Sequence, residues 1–334
     1  MKITFEELES TLLQVFTQLG FTNEKADLLA KVHAESTLDG VRSHGIGRVV
    51  RFYNEVKKGF VKTESQAHKI AEFGSLERWN GNQGSGVINA TICTDRAVEL
   101  AQHHGIGCVA LRNTNHWMRG GTYGWQAANA GCIAIGFTNT KPNMPPWGGK
   151  ESRIGNNPFV VAIPRKAGHV VLDMALSQYS FGKIDEYAKR GEHLPFPGGW
   201  DRNDQLTADP SQIGKGEMGL PIGYWKGSAL SMILDMLVTI LSAGDSTYRV
   251  SQKESEYGIS QLFICIDPNK FGDGELKEKL LQEIIDYAHN VAPMDPDGKT
   301  YYPGERTLEA RQRNLKGGIE IDDQVWEEVL HLIE

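Results

Sequence analysis

The chain of 334 residues exceeds the ~250–300 at which one hydrophobic core usually stops growing, so two domains are expected, with room for one to interrupt the other. Hydrophobic residues make up 40% and charged residues 23%, the balance of a soluble globular protein, which excludes a disordered chain. A net charge of -7 and the absence of any Lys/Arg run exclude a nucleic-acid partner bound through its phosphates.

From the N-terminus, apolar side chains recur at helical intervals over residues 4–19, 23–38 and 47–58, which predicts a helical opening unit. Thr4 and Glu7 stand at capping-box spacing, and Thr22 is placed to cap the second helix. From about residue 67 short apolar runs alternate with amphipathic stretches. Strands are predicted at 67–73, 76–79, 108–112, 132–138, 159–164, 169–174 and 259–266, and helices at 86–104, 120–130, 181–189 and 226–242. That alternation marks an α/β sheet domain. Helical periodicity returns at 274–289, 306–315 and 322–333, and this tail is expected to fold back on the opening helices. The resulting division is a smaller helical domain of residues 1–66 and 285–334 around a sheet domain of 67–284.

Cys93, Cys108, Cys132 and Cys265 lie far apart in apolar surroundings with no C-x-x-C pair, so buried free thiols in a reducing compartment are expected. The start Met1–Glu9 alternates acidic with apolar residues, unlike a secretory signal, and points to the cytoplasm. The longest apolar stretch, 227–244, contains Ser228, Ser231, Asp235, Thr239 and Ser242, too many polar positions for a membrane span. It reads as a buried helix. No H-E-x-x-H or other compact ligand set occurs, so no catalytic metal is expected.

Chemistry concentrates first at Arg42-Ser43-His44-Gly45-Ile46-Gly47-Arg48. Imidazole, with an ordinary pKa of about 6.5, gives and takes a proton near neutrality, and flanking arginines suit a carboxylate in forked geometry. The competing reading is a helix C-cap, with Gly40 and Gly45 as left-handed positions and His44 an ordinary loop residue. A second candidate is Arg112-Asn113-Thr114-Asn115-His116-Trp117-Met118-Arg119-Gly120-Gly121, just beyond a predicted strand, where open α/β sheets build sites. Its competitor is a structural turn in which Asn115 caps the next helix. His103-His104 reads as a favourable helix C-terminal contact. Met144-Pro145-Pro146-Trp147-Gly148-Gly149 is either a pocket wall or a rigid connector. Gly214-Lys215-Gly216-Glu217-Met218-Gly219 matches G-x-G-x-x-G, but it sits between loop residues rather than between a strand and a helix and is set aside. A standard Rossmann reader is disfavoured, while dinucleotide binding stays open.

Five segments together resemble the malate/L-lactate dehydrogenase family, nicotinamide-dependent enzymes with a non-Rossmann fold. They are Gly40-Val41-Arg42-Ser43-His44-Gly45, the Arg112–Gly121 segment, Arg153-Ile154-Gly155-Asn156-Asn157-Pro158, Val171-Leu172-Asp173-Met174 and Gly223-Tyr224-Trp225-Lys226-Gly227-Ser228. The resemblance covers essentially the whole chain. Asn115-His116-Trp117-Met118 stands where the family usually carries Asn-His-Phe-Gly, and this variant resembles a branch acting on a diketo sugar acid.

The resemblance implies an α/β (α+β) fold with a mixed sheet and hydride transfer between NAD(H) and a 2-keto or 2-hydroxy acid. It implies His44 as proton donor to the C2 carbonyl oxygen, acting in its protonated form, a role typically worth ~10²–10⁴-fold. The matching cofactor positions are His169, Val170, Val171, Leu172, Asp173, Met174 and Ala175, then Trp225 with Lys226, and Gly304, Glu305 and Arg306. Arg48 and His116 are candidates, from chemistry and position, to hold the substrate's carboxylate and hydroxyls. Arg306 departs from the expected loop, and a positive charge there suits a ribose 2′-phosphate, so NADP stands beside the favoured NAD. A homodimer with its site near the subunit interface is also implied. The rivals are a dehydrogenase of the same fold acting on malate, lactate, ureidoglycolate or a cyclic imine, a non-catalytic sugar-acid binder, and a metal-dependent lyase using His44 and His116.

Overall fold

In the computed structural model, residues 1–213, 218–272, 274–295 and 298–333 are described; Gly214 to Glu217, within the glycine-rich string, lie outside them. Strand β1 (Lys2–Ile3) leads into α1 (Phe5–Gln18), where Thr4 Oγ1 accepts the Glu7 N–H at 3.1 Å and Leu8, Leu12, Val15 and Phe16 bury one face. Helix α2 (Asn23–Leu38) starts after Thr22, whose side chain makes no capping bond, and stops at Gly40, left-handed at φ +83°. Then come α3 (Val49–Lys57), β2 (His68–Phe73), β3 (Leu76–Asn80), α4 (Gly86–His104) and β4 (Ile106–Thr114). They are followed by α5 (Gly121–Asn129), β5 (Ile133–Thr138), β6 (Phe159–Ile163), β7 (Val170–Met174), α6 (Phe181–Arg190) and a small hairpin, β8 (Gly199–Trp200) with β9 (Leu206–Thr207). Helices α7 (Trp225–Ser242) and α8 (Thr247–Ser251), strand β10 (Ile259–Ile266), helices α9 (Gly274–His289) and α10 (Glu305–Gly317), strand β11 (Ile319–Glu320) and helix α11 (Asp323–Leu330) complete the order.

The main sheet runs β2-β3-β4-β10-β5-β6-β7, and only the β3–β4 pair is parallel. This mixed order differs from the doubly wound arrangement of a Rossmann domain. Strand β10 enters the middle of the sheet from far along the chain and pairs Phe263 with both Val109 and Gly136, which explains its unbroken apolar run. Alternation along β4 sends Val109 and Leu111 towards α4 and α5 and Ala110 towards α7, so both faces are covered. The four thiols are unpaired, and burial pushes Cys132 up to about 11 and Cys265 to about 12, which makes them inert.

The chain's tail returns to its start. β1 pairs antiparallel with β11, and Ile319, Ile321, Trp326 and Val329 join the apolar cluster of α1, α2 and α3. One expectation fails at α7, which is half uncovered. Leu230, Met232, Ile233, Met236, Leu237 and Ile240 are exposed, while Ser228, Ser231 and Ser242 are buried and Asp235 and Thr239 half-buried. The reason is that their partners lie inside: Ser231 Oγ donates to Gly155 O at 2.6 Å, and Asp235 Oδ1 accepts from Asn139 Nδ2 at 2.8 Å and from the Thr247 N–H at 2.9 Å.

Asp39, at the C-terminus of α2, ties the layers together. Its side chain is only 4% exposed, and its two oxygens accept from Arg119 Nη1 at 2.5 Å and Arg311 Nε at 2.6 Å, joining α2 to the β4–α5 loop and to α10. Removing the carboxylate leaves the buried Arg119 guanidinium uncompensated. Asp39→Ala is therefore expected to lose about 3–5 kcal/mol of unfolding free energy, read as a lower urea midpoint at unchanged slope. An unchanged midpoint would show that the clamp contributes nothing.

Candidate active site

The histidine loop consists of two single 3₁₀ turns, Arg42–His44 and Ile46–Arg48, folded against the last turn of α2. Thr37 Oγ1 donates to His33 O at 2.8 Å and accepts the Ile46 N–H at 2.9 Å. A Cβ on residue 45 would fall 2.2 Å from Thr37 Oγ1, 2.7 Å from Thr37 N and 2.8 Å from His33 O. Glycine is required at 45 by this close approach, with φ at −109°, and not by the left-handed conformation that the sequence suggested; Gly40 alone takes that role.

His44, Arg48 and His116 converge on one cleft of about 530 Å³, together with Gly120, Asp173 and Ala175. The two imidazoles stack with ring centroids 5.9 Å apart and planes 22° from parallel. Ser43 Oγ lies 3.0 Å from His44 Nδ1, and His116 Nδ1 accepts the Met118 N–H at 3.0 Å. In the neutral His116 ring that bond places the proton on Nε2, leaving a donor for a ligand oxygen. Met118, Arg119 and Gly120 also line the cleft, while other residues of the Arg112–Gly121 segment are structural. Arg112 Nη1 donates to Ala243 O, Asn113 Nδ2 to Asn80 Oδ1, and Trp117 packs in the core. Asn115 caps no helix; its buried amide instead donates to Phe60 O, Gln83 O and Gly84 O and so pins its own loop to two others.

The cleft places the Arg48 guanidinium beside two imidazoles, with Asp173, Asp185 and Glu256 also on its walls. Burial, reinforced by the nearby Arg48 and Arg119 charges, lowers His44 to about 4. Burial and Arg48 hold His116 well below the ordinary histidine range. Both rings are therefore neutral at pH 7 in the ligand-free chain, beside a guanidinium that stays charged. Arg48 Nε is buried without an acceptor. An entering carboxylate would supply one and offset the Arg48 and Arg119 repulsion, the smaller of the two causes that lower His44.

The cofactor segments follow β7, an edge strand. The Val171 N–H donates to Pro303 O at 2.8 Å, and Gly304, at φ +97°, lies so near that a Cβ there would sit 3.0 Å from Val171 N. At the other end Leu176 O accepts the Ile222 N–H at 2.8 Å, which brings the start of α7 alongside. At about 3.3 Å per residue the five steps from Val171 to Leu176 span about 17 Å, room for an extended dinucleotide. Within β7, Val171 packs towards α5 while Leu172 and Met174 alternate to the other side; Val170 pairs with Ile163. Asp173 Oδ2 accepts the Gly121 N–H at 2.7 Å at the start of α5, and burial raises its carboxyl against the pull of Arg119.

His169 opens instead on a second cleft of about 600 Å³, walled by Trp125, Lys166, Thr307, Leu308 and Arg311. Arg119 lines both clefts. Trp125 Nε1 and Arg119 Nε are buried there without acceptors, so a group rich in phosphate and ribose oxygens fits the donors present. Of the twelve expected cofactor residues, His169 lines this second cleft and Asp173 and Ala175 the first, while the other nine line neither. Trp225 and Lys226 stand exposed at the start of α7, Glu305 Oε2 accepts the Tyr302 N–H and faces His289 Nε2 at 3.0 Å, and Arg306 stacks on the Tyr301 ring at 4.3 Å. The Trp147 ring meets that of Tyr224 at a tilt of 59° and the Trp147 backbone N–H donates to Ser228 Oγ, so the Met144–Gly149 stretch is a connector to α7. Sequence reasoning missed Trp125, whose only signal was its place on a helix that follows a site-bearing loop.

Imidazoles beside a guanidinium, opening on the edge of a mixed sheet, suit an oxidoreductase of anionic carbonyl compounds outside the Rossmann class. The malate/L-lactate dehydrogenase family profile matches residues 3–330, and the chain belongs to that family. It is 43% identical over 330 residues to 2,3-diketo-L-gulonate reductase of Escherichia coli, covering 98% of this chain and 99% of the relative. Malate dehydrogenase from Pyrococcus horikoshii superposes with a TM-score of 0.89 at 28% identity, covering 99% of this chain and 94% of that one. Malate dehydrogenase from Entamoeba histolytica, at 24% identity, shares the fold with a TM-score of 0.93 over 99% of this chain and 97% of that one. The protein is a nicotinamide-dependent oxidoreductase.

Because the Gly45 contact is with backbone atoms that cannot yield cheaply, Gly45→Ala is expected to cost about 1–3 kcal/mol of stability and most of the turnover. Gly40→Ala, strained only in φ, should keep its turnover. Wild-type activity in Gly45→Ala would refute the close-approach account.

Proposed function

We propose that this protein reduces the C2 carbonyl of 2,3-diketo-L-gulonate to 3-keto-L-gulonate, using NADH and a proton from His44. The observation that carries the reading is the meeting of His44, Arg48 and His116 in one cleft with the Asp173 and Ala175 end of β7. Nicotinamide, when bound, supplies a hydride to C2. Arg48 binds the substrate carboxylate, whose negative charge offsets the arginine repulsion and, against the effect of burial, favours uptake of a proton from solvent by His44. Ser43, whose hydroxyl both donates and accepts, holds Nδ1 in either protonation state and leaves Nε2–H aimed at the carbonyl oxygen. As C2 is reduced, His44 passes that proton to the developing alkoxide and returns to its neutral form. One keto acid, one hydride and one proton thus become one hydroxy acid. His116 Nε2–H supplies a second hydrogen bond to the substrate.

The residues of β7, with His169 and the Gly304–Arg306 loop, form the dinucleotide track in this reading, and Trp225 and Lys226 adjoin its far end. NAD is favoured over NADP because Arg306 is committed to Tyr301 and the neighbouring Glu305 carboxylate repels a 2′-phosphate. The exposed apolar face of α7 supports a homodimer, since faces of this kind are normally covered by a partner. The four free thiols support a cytoplasmic location. Division into a helical domain of 1–66 and 285–334 and a sheet domain of 67–284 is supported by an apolar cluster drawn mostly from the two ends of the chain, which Val87, Ile88 and Met118 join from the sheet side.

Spectrophotometric NADH oxidation by the wild-type protein with 2,3-diketo-L-gulonate tests the reaction, and His44→Gln tests the acid. The variant is expected to lose at least ~10²-fold in kcat while its NADH affinity, read by fluorescence titration, stays within about threefold. Turnover surviving in His44→Gln would remove His44 from the chemistry.

A further inference from the structure

Beyond the histidines and Arg48, the same cleft has a polar wall built from Thr140, Asn143 and Asn156. Asn156 Oδ1 accepts from Asn143 Nδ2 at 2.9 Å and from Thr140 Oγ1 at 3.2 Å. Two amide ends are left over. Asn143 Oδ1 is buried with no donor, and Asn156 Nδ2 makes no hydrogen bond among the described residues. An orphaned buried carbonyl oxygen costs about 1–3 kcal/mol unless something in the working complex pairs with it.

The wall is rigid. Behind it Asn157, 1% exposed, donates Nδ2 to Ser231 O at 2.9 Å and to Ser231 Oγ at 3.1 Å, and its Oδ1 accepts the Thr140 N–H at 3.1 Å. Asn157 holds a positive φ of 21°, a strained backbone state for a residue with a side chain. Gly155 leaves no space beside it, since a Cβ there would lie 2.3 Å from both Asn157 Oδ1 and Thr140 Oγ1. Asn156 O accepts the Leu176 N–H at 2.7 Å, which sets the amide pair one residue past Ala175 on the β7 track.

We propose that the Asn143–Asn156 amide pair reads a hydroxyl on the substrate chain beyond C2 and so selects polyhydroxy 2-keto acids over those of pyruvate size. This rests on the reductase reading above and adds its specificity-determining residues. A hydroxyl is the one small group that fills both vacancies at once, accepting from Asn156 Nδ2 and donating to Asn143 Oδ1 after a small turn of that side chain. A ligand without the hydroxyl leaves the pair unsatisfied, and sites built to bond a hydroxyl discriminate strongly against analogues that lack it.

The test compares Asn143→Ala and Asn156→Ala with the wild type, using NADH against 2,3-diketo-L-gulonate and against pyruvate. Each variant is expected to lose about 10–100-fold in kcat/KM on the sugar acid, while the slow reduction of pyruvate changes by less than about threefold. NADH binding by fluorescence checks that each variant is folded, and Asn143→Ala, at a half-buried position, carries the test alone if Asn156→Ala does not fold. Equal losses on both acids, or no loss on the sugar acid, overturn the proposal while leaving the reductase reading intact. A wild type that reduces pyruvate as efficiently as the sugar acid does the same. A wild type inert on both acids overturns the reductase reading and the proposal with it.

Discussion

How closely the backbone at Gly45 lies against the last turn of α2 determines everything that follows in the cleft. Thr37 uses its one hydroxyl twice, once to satisfy a carbonyl of its own helix and once to catch the Ile46 N–H, and only a residue without a Cβ passes between them. That contact turns the chain so that His44 faces the end of β4, where His116 waits on a segment pinned by Asn115. The two histidines come from different layers. Their meeting therefore also needs the layers to be docked, which the Asp39 carboxylate achieves by holding one arginine from each side.

Long regular elements were legible because their periodicity is sustained. Helix α4 at 86–104 and strand β10 at 259–266 have the limits that their apolar patterns suggest. The insertion of β10 between β4 and β5 was not legible, since pairing across more than a hundred residues leaves no local trace. The β1–β11 pair is two residues long, too short to show any period. Composition counted the polar residues of α7 correctly but could not say which way they face; that is set by Gly155 and Asn139 lying inside.

The site divides in the same way. His44, Arg48 and His116 stood out by residue type, and the structure brings them together. Arg119 lay in plain view within a motif, yet its role as the shared wall of two clefts depends on Asp39, eighty residues earlier. Asn143 and Asn156 carried no visible signal as a pair, because an unsatisfied amide is a property of three-dimensional surroundings. Gly45 was recognised as special for the wrong reason. Positive φ is what sequence suggests for a glycine after a helix, whereas here the requirement is space.

Charge rather than shape makes the cleft responsive. Without a ligand, two neutral imidazoles sit beside a guanidinium with an empty donor, a state stable only until an anion arrives. In the proposed mechanism, carboxylate binding favours proton uptake, so that the acid is armed when there is something to protonate. The most direct measurement is the ¹⁵N NMR titration of the His44 ring, in the free protein and in its complex with NADH and oxamate, an unreactive keto-acid mimic. The account predicts titration near pH 4 in the free protein and an upward shift of that pKa in the complex. An ordinary histidine pKa in the free protein, or a value that the anion leaves unmoved, would contradict it.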